Sequence, residues 1–380
     1  MELPSRAAFP AFVWLVPAVA LLAGLVVRYL GFRAALPDAD IAQIAASFCR
    51  WDCQWYLRLA ETGYDPFPVP GRTAAGNWAF FPLYPMIVGL IAHVVPLDTI
   101  WVATLLSLAL SFIAVLTAWP MLGRNRNAYA VFAAYVLAGP FAVYFTTFFT
   151  EVLFLLLTLW TFRALSRSAY VEAGFAVALL SATRIVGVFA TLALMLRIVL
   201  DHFSAGGTWR TLLPAILLRP TLVLAVLVAP LGLFAYMAFL VLHIGDGLAF
   251  SHVQIAWGRS VGNPFAYLFE GLIRMPEHGF WPTPSQVLAF AALSGLAMTG
   301  LLAWRRRWPE ALFCLICVLL PLSAGLASML RFMSALAPIV LLASELAGRN
   351  RYAAAAICAL LVVSGYFTTL GWFGGHLALV

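Results

Sequence analysis

Apolar runs long enough to cross a lipid bilayer recur from the start of this chain to its end, and they restrict its fold more than any other feature. Hydrophobic residues make up 64% of the 380 residues, and charged residues make up only 10%. A spanning helix needs about 20 apolar residues, and in lipid its backbone must satisfy its own hydrogen bonds. The sequence therefore predicts an all-α, polytopic membrane protein in which residues 1–380 form a single membrane domain.

The arginines predict how the spans are oriented. All 22 basic residues are Arg, and short cytoplasmic loops carry an excess of basic residues. We therefore interpret the net charge of +7 as a sign of membrane orientation and not of a nucleic-acid partner. Alternating Arg clusters predict about eleven spans and two long non-cytoplasmic loops. The spans fall at 11–30, 99–121, 128–145, 150–166, 170–183, 185–201 and 220–241, with four more before residue 371, and the loops at 31–98 and 242–284.

Residues 82–95 are apolar enough to suggest a further span. A span there would put Arg124 and Arg126 outside and would reverse every later Arg cluster. The charge rule therefore favours a helix that lies at the outer membrane interface, where Trp and Tyr are common.

The stretch from Arg50 to Tyr64 is the densest run of polar and aromatic residues in the chain. Wound as a helix, it places Asp52 on the apolar side. A carboxylate there must be paired, solvated by a cavity or used, because exposure to hydrocarbon is costly. The alternative is that the helix starts one turn later and Asp52 caps its N-terminus.

The cysteines do not indicate a zinc site. Cys49 and Cys53 have no companion His or Cys at zinc spacing, and neither do Cys314 and Cys317. A disulfide between residues four apart within one helix would be strained.

Several charged residues stand at the predicted outer ends of spans. A carboxylate with convergent Arg side chains suits an enzyme acting on an anionic, lipid-linked substrate, because guanidinium groups hold phosphate and a carboxylate accepts a proton. The simpler alternatives are that these Arg side chains reach the headgroups, that Glu151 only completes a helix N-terminus, and that His252 is a hydrated loop residue. No nucleotide-binding loop is present. The candidates are Asp52, Glu151, Arg184, Arg331 and, more weakly, Arg259.

Short motifs resemble the PIG-V-type mannosyltransferases. They are Arg50-Trp51-Asp52 followed by Tyr56 and Gly63-Tyr64, and then Ala79-Phe80-Phe81-Pro82-Leu83-Tyr84-Pro85. Thr150-Glu151, Ala182-Thr183-Arg184-Ile185-Val186-Gly187, and Arg331 with Pro338 are similar to later motifs of that family. Phe149 stands where the family's pattern predicts Tyr, and the loop at 242–284 matches no motif of the family.

The resemblance implies a GT-C fold with juxtamembrane helices in the first outer loop. It implies an inverting glycosyltransferase that moves a hexose, most simply mannose, from a polyprenyl-phosphate donor to a lipid or glycan hydroxyl on the non-cytoplasmic face of a bacterial inner membrane. Asp52 or Glu151 would be catalytic, and the residues neither require nor exclude a divalent cation. Substrate binding is assigned to Trp51, Tyr56, Tyr64, Tyr84, His252, Gln254 and Trp257.

Two other classes compete with this hypothesis. A transporter of lipids or lipid-linked sugars would place charges near mid-membrane and would show repeated halves. A catalytically inactive scaffold would leave Asp52 and the outer arginines in separate places.

Overall fold

The computed structural model describes residues 10–67, 75–275 and 282–375. Within these ranges the chain is helical and contains no β-strand, which confirms the predicted fold class. Residues 68–74 of the first predicted loop and residues 276–281 of the second lie outside the described ranges.

Nineteen α-helices make up the described part of the chain, joined by turns and four short 3-10 helices. The first nine are α1 Ala11–Ala35, α2 Ile44–Phe48, α3 Asp52–Thr62, α4 Leu83–Val94, α5 Thr99–Met121, α6 Arg126–Leu137, α7 Glu151–Ser166, α8 Tyr170–Ser181 and α9 Ala190–Ser204. The next five are α10 Trp209–Leu217, α11 Pro220–Val228, α12 Leu231–Ile244, α13 Ala249–His252 and α14 Pro264–Ile273. The last five are α15 Pro284–Trp304, α16 Trp308–Leu322, α17 Met329–Ser334, α18 Ala337–Ala347 and α19 Arg351–Gly374. The 3-10 helices are Ile41–Gln43, Asn77–Ala79, Ile185–Phe189 and Val253–Trp257.

Five helical stretches in the described ranges are long and apolar enough to cross a membrane, or seven if each of two sharply bent helix pairs counts as one span. Several other apolar helices are shorter, including α4, which has 12 residues. At a rise of about 1.5 Å per residue, α4 is too short to cross the hydrocarbon core. A short helix is therefore present where 82–95 was predicted to lie at the interface.

Helix α7 is the centre of the bundle and is buried along most of its length. Elsewhere in the bundle, small residues allow close helix packing. A Cβ on Gly24 of α1 would lie 1.9 Å from the carbonyl oxygen of Leu137, and one on Gly365 of α19 would lie 2.2 Å from that of Ala138. These glycines let α1 and α19 pack directly against the end of α6.

The predicted span 128–145 differs from the structure. Helix α6 ends at Leu137, just before Gly139 and Pro140, and residues 138–150 form consecutive buried turns. Proline disfavours the helical backbone conformation in the residue that precedes it. Ser111 of α5 donates to the carbonyl oxygen of Phe145 at 3.0 Å, which satisfies one backbone group of these turns. Irregular backbone at membrane depth is tolerated where it is buried in protein, and these turns carry the chain to Thr150 and Glu151.

The predicted span 220–241 is also interrupted. Helix α11 ends at Val228, and α12 begins at Leu231 after Pro230. A proline inside a helix removes one backbone hydrogen bond and clashes with the preceding turn, which explains the break.

Candidate active site

The first loop folds back on itself beside α3. Asp65 pairs with Arg58 of α3 at 2.6 Å, and the backbone N–H of Asp65 donates to the side chain of Asn77. The indole Nε1 of Trp78 donates to the carbonyl oxygen of Asp65 at 2.7 Å. The Tyr64 hydroxyl donates to the carbonyl oxygen of Phe80, also at 2.7 Å. These bonds hold residues 77–81 against α3, and Ala79, Phe80 and Phe81 of this segment line the candidate site.

Asp52 lies at the start of α3, so the helix begins later than residue 50. The residue before the helix is Trp51, whose φ of 52° is uncommon for a bulky side chain. Asp52 is therefore the first residue of the helix and not its cap. Its Oδ2 accepts from Nη1 of Arg331 at 2.7 Å, and about 27% of its side chain remains exposed.

Glu151 is the first residue of α7, as the helix-start hypothesis requires, but it also forms two ion pairs. Its Oε1 lies 3.1 Å from Nη1 of Arg184 and 3.0 Å from Nε of Arg331. The Arg184 contact is a hydrogen bond, whereas Nε of Arg331 is badly aligned and donates no hydrogen bond in the described structure. The second contact is therefore one of charge and distance. With 2% of its side chain exposed, Glu151 is buried behind both guanidinium groups.

Arg331 links the two carboxylates. Burial by itself would lower the pKa of Arg331, but the charges of Asp52 and Glu151 outweigh it and raise this pKa above its ordinary value. Its guanidinium carbon also lies 5.3 Å from the ring centre of Phe332, and that of Arg184 lies 4.6 Å from the same ring. Phe332 therefore packs against two cations through its π-face.

Two cavities meet at this cluster. The polar cavity, of about 140 Å³, is lined by Asp52, Tyr56, Arg331 and Trp257 among others. The apolar groove, of about 260 Å³, continues from it between the loop after α13 and helix α16. Several residues line both. They are Ala79, Phe81, Arg184, Ile185, Gln254, Arg259 and Phe332.

Arg259 stands where the two cavities join. Its Nη2 donates to the hydroxyl of Ser328 at 3.2 Å, and it forms no ion pair with any residue in the described ranges. Burial lowers its pKa, and the nearby positive charge of Arg331 lowers it further. Asp52 and Glu151 balance the charges of Arg331 and Arg184, so Arg259 leaves the junction with an excess positive charge.

Tyr56 projects from α3 into the polar cavity. Its hydroxyl oxygen lies 3.5 Å from Oγ1 of Thr150. Burial, followed by the charge of Glu151, raises the pKa of Tyr56 to about 12. Its hydroxyl is therefore neutral at physiological pH and can donate a hydrogen bond.

The cavities thus bring together Asp52, Tyr56, Arg184, Gln254, Trp257, Arg259 and Arg331, while Glu151 supports them from behind. Four other predicted substrate-binding residues line neither cavity. Trp51 packs edge-on against Trp372 at 4.4 Å between ring centres, and the Tyr84 hydroxyl bonds to Ser107 of α5. Tyr64 bonds to Phe80, and His252 pairs with Asp246 at the surface.

Sequence reasoning missed the wall of the apolar groove. Cys317, Leu320 and Pro321 of α16 line it, as does Ala324 just beyond that helix. These residues look like ordinary residues of a span, so the sequence contained no signal for them. Phe332 could have been found, because it directly follows the candidate Arg331.

The donor set does not fit a resident divalent cation. A carboxylate oxygen of Asp52 and one of Glu151 each form an ion pair with Arg331. A cation at Asp52 would therefore have to displace that guanidinium or lie beside its positive charge. In the described part of the chain, no three His, Cys, Asp or Glu side chains cluster as metal ligands.

Comparison with known proteins identifies the fold. No family model matches the chain, and no curated protein sequence matches it. The crystal structure of the Archaeoglobus fulgidus oligosaccharyltransferase in the apo form aligns over 98% of this chain with a TM-score of 0.51 and 13% identity. The same enzyme tethered with an acceptor peptide aligns with a TM-score of 0.47 and 13% identity. This chain spans 57% of the length of the apo neighbour. At this identity the likeness concerns architecture, and the chain has a GT-C-like membrane fold.

Proposed function

We propose that this protein is an inverting membrane glycosyltransferase that moves a hexose, most simply mannose, from a polyprenyl-phosphate donor to a hydroxyl group of a lipid or glycan. One observation carries the proposal. Asp52, Arg184, Arg259 and Arg331 line a polar cavity that continues into an apolar groove. A lipid-linked sugar phosphate has the same order of parts, namely a polar sugar, an anionic phosphate and an apolar chain. The GT-C-like fold agrees with this chemistry.

The donor phosphate is assigned to the junction of the cavities. Arg184 and Arg259 line both of them there, and Arg259 supplies a positive charge with no described carboxylate partner. Guanidinium groups bind phosphate through paired, charge-assisted hydrogen bonds. The polyprenyl chain would extend along the groove past Leu320 and Ala324, and the sugar would lie in the polar cavity near Trp257.

Asp52 is assigned as the general base. It is partly exposed to the polar cavity, whereas Glu151 is buried and lines neither cavity. Asp52 would take the proton from the acceptor hydroxyl as that oxygen forms a bond to the anomeric carbon. The bond from this carbon to the phosphate oxygen breaks at the same time, and the polyprenyl phosphate leaves with its charge held by Arg184 and Arg259. A single displacement inverts the carbon.

The non-cytoplasmic location of the site is part of the same proposal. Arg124 and Arg305–Arg307 lie in short connections between helices, and Arg126 is the first residue of α6; the charge rule predicts that these residues face the cytoplasm. A disulfide joins Cys49 and Cys53 beside Asp52, and disulfides persist mainly in oxidising compartments such as the bacterial periplasm.

Reconstitution in vesicles tests the proposed function. Purified protein would be given a polyprenyl-phosphate hexose with a radiolabelled sugar, in the presence of a membrane lipid extract as acceptor. We expect release of polyprenyl phosphate and incorporation of label into a new product. Movement of intact labelled donor across the vesicle membrane without release of polyprenyl phosphate would instead establish the transporter.

A further inference from the structure

A disulfide encloses the segment that ends at Asp52. Cys49 follows the last residue of α2, and Cys53 is the second residue of α3. The helix is broken between them, so this bridge is not the strained disulfide within one helix that the spacing suggested. The Cys53 side chain is completely buried, whereas Cys49 is partly exposed. The covalent loop therefore contains Arg50, Trp51 and Asp52.

The backbone in this loop has an unfavourable conformation. Trp51 has φ 52° and ψ −118°, a combination that is uncommon for a residue with a large side chain. Such a conformation persists only when the surroundings enforce it, and it is found most often at functional sites. The direction in which α3 starts, and hence the position of Asp52, depends on this one residue.

The end of α19 holds the same loop from the other side. Nη1 of Arg50 donates to the carbonyl oxygens of Trp372 and Phe373 at 2.6 and 2.8 Å. In return, Nε1 of Trp372 donates to the carbonyl oxygen of Phe48 at 3.2 Å. These contacts anchor the loop, but they act on residues before Asp52. Across Trp51, the backbone N–H of Cys53 donates to the carbonyl oxygen of Arg50 at 3.1 Å, and the disulfide adds a covalent cross-link between Cys49 and Cys53 to the main chain that already joins them.

We propose that the Cys49–Cys53 disulfide is a positioning element for the base, a role that rests on the proposed function. By holding Trp51 in its positive-φ conformation, it fixes the first turn of α3 so that the Asp52 carboxylate stays against Arg331 and reaches the polar cavity. Neither cysteine touches substrate. Without the bridge, Trp51 relaxes towards negative φ, and the carboxylate leaves the geometry required for proton transfer. Donor binding at Arg184 and Arg259 is unaffected.

The test is the double variant Cys49→Ser, Cys53→Ser, with Cys358→Ser as the matched control because Cys358 is a free cysteine on α19. The transfer rate and the donor KM would be measured in vesicles. Displacement of a reacting group by about 1 Å can cost on the order of 100-fold in rate. We expect kcat to fall about 10- to 100-fold in the double variant, with donor KM and the control variant unchanged.

A mutant cycle separates positioning from general weakening of the fold. In an Asp52→Asn background, removal of the disulfide should lower the residual rate no further, because the base that it positions is already absent. An equal loss in both backgrounds overturns the inference, as does a double variant with kcat within twofold of wild type. A wild-type protein that transfers no hexose overturns the proposed function itself, and this inference with it.

A second measurement avoids dependence on the folding of the variant. Folded wild-type protein would be treated with dithiothreitol, whose two thiols become a cyclic disulfide as the Cys49–Cys53 bond breaks and each sulfur gains a proton. Mass spectrometry after alkylation would count the new thiols. Fully reduced protein should lose kcat to the same extent as the double variant and should recover after oxidation by oxidised glutathione. Reduced protein that retains full kcat contradicts the proposal.

Discussion

Nη1 of Arg331 donates to Oδ2 of Asp52 at 2.7 Å, although the two residues are 279 positions apart in the chain. The same guanidinium lies 3.0 Å from Oε1 of Glu151. Arg331 therefore separates two carboxylates with different surroundings, one facing a cavity and one buried. This difference is the basis on which we propose Asp52 as the base and Glu151 as a supporting residue.

Glu151→Gln is expected to destabilise the protein. The change leaves the buried charges of Arg184 and Arg331 without their shared partner, and loss of one member of a buried ion pair costs about 3–5 kcal/mol. The thermal midpoint in detergent measures this effect. Glu172→Gln is the matched control, because Glu172 pairs with Arg167 at the surface, where an ion pair contributes about 1 kcal/mol or less. Equal midpoints for the two variants would contradict the supporting role.

Arg259→Ala is expected to weaken donor binding more than catalysis. Removal of a charged hydrogen-bond donor costs about 1.5–3 kcal/mol, so the donor KM should rise on the order of 10- to 100-fold. Steady-state kinetics with varied donor concentration measures it. Arg306→Ala, at an exposed turn after α15, should behave as wild type. An unchanged donor KM in Arg259→Ala would remove this residue from the phosphate site.

Ala324→Trp is expected to fill the apolar groove and to discriminate donors by chain length. Transfer from a long polyprenyl-phosphate donor should fall about 10-fold or more, since a misfit of even one methylene group in an apolar substrate pocket costs about 1–3 kcal/mol. A donor with a short prenyl chain should be used nearly as well as by wild type. The control is Ala343→Trp, because Ala343 of α18 lines a separate apolar crevice. Equal losses for both donors would show that the chain does not occupy the groove.

Transfer is expected to be independent of divalent cations. Arg331 takes the place between the carboxylates that a bridging cation would need, and Arg184 and Arg259 supply the charge that stabilises the leaving phosphate. Assays with excess EDTA should retain activity within about twofold of the untreated enzyme, a change of about 0.4 kcal/mol at most. Loss of activity that added Mg²⁺ or Mn²⁺ restores would refute this account of the site.

Composition and apolar runs were sufficient to predict the helical membrane class, because the bilayer permits few backbone arrangements. Periodicity placed the main helices but missed the buried turns at 138–150. Those residues are as apolar as a span, and the hydrogen bond from Ser111 to Phe145 that supports the irregular backbone comes from another helix. Gly139 and Pro140 were the local signals of the break.

The candidate charges could be found in the sequence because charge is rare in this chain. Their pairing could not, since Asp52 and Arg331 are brought together only by the packing of α3 against the bundle. The structure was also needed to rank the arginines as candidates for binding the donor phosphate. Arg259 was the weakest candidate, yet it lines both cavities without an ion pair in the described ranges, whereas Arg331 is already engaged by two carboxylates.

The central claim is that Asp52 removes the proton from the acceptor hydroxyl. Asp52→Asn keeps the size of the side chain and an acceptor oxygen for Arg331, so the variant should fold, as judged by its thermal midpoint, and should bind donor with an unchanged KM. A general base contributes about 10²- to 10⁴-fold. The most direct measurement is the single-turnover rate of hexose transfer by Asp52→Asn with saturating donor and acceptor. We predict a fall of about 100-fold or more, and a rate within a few-fold of wild type would contradict the account.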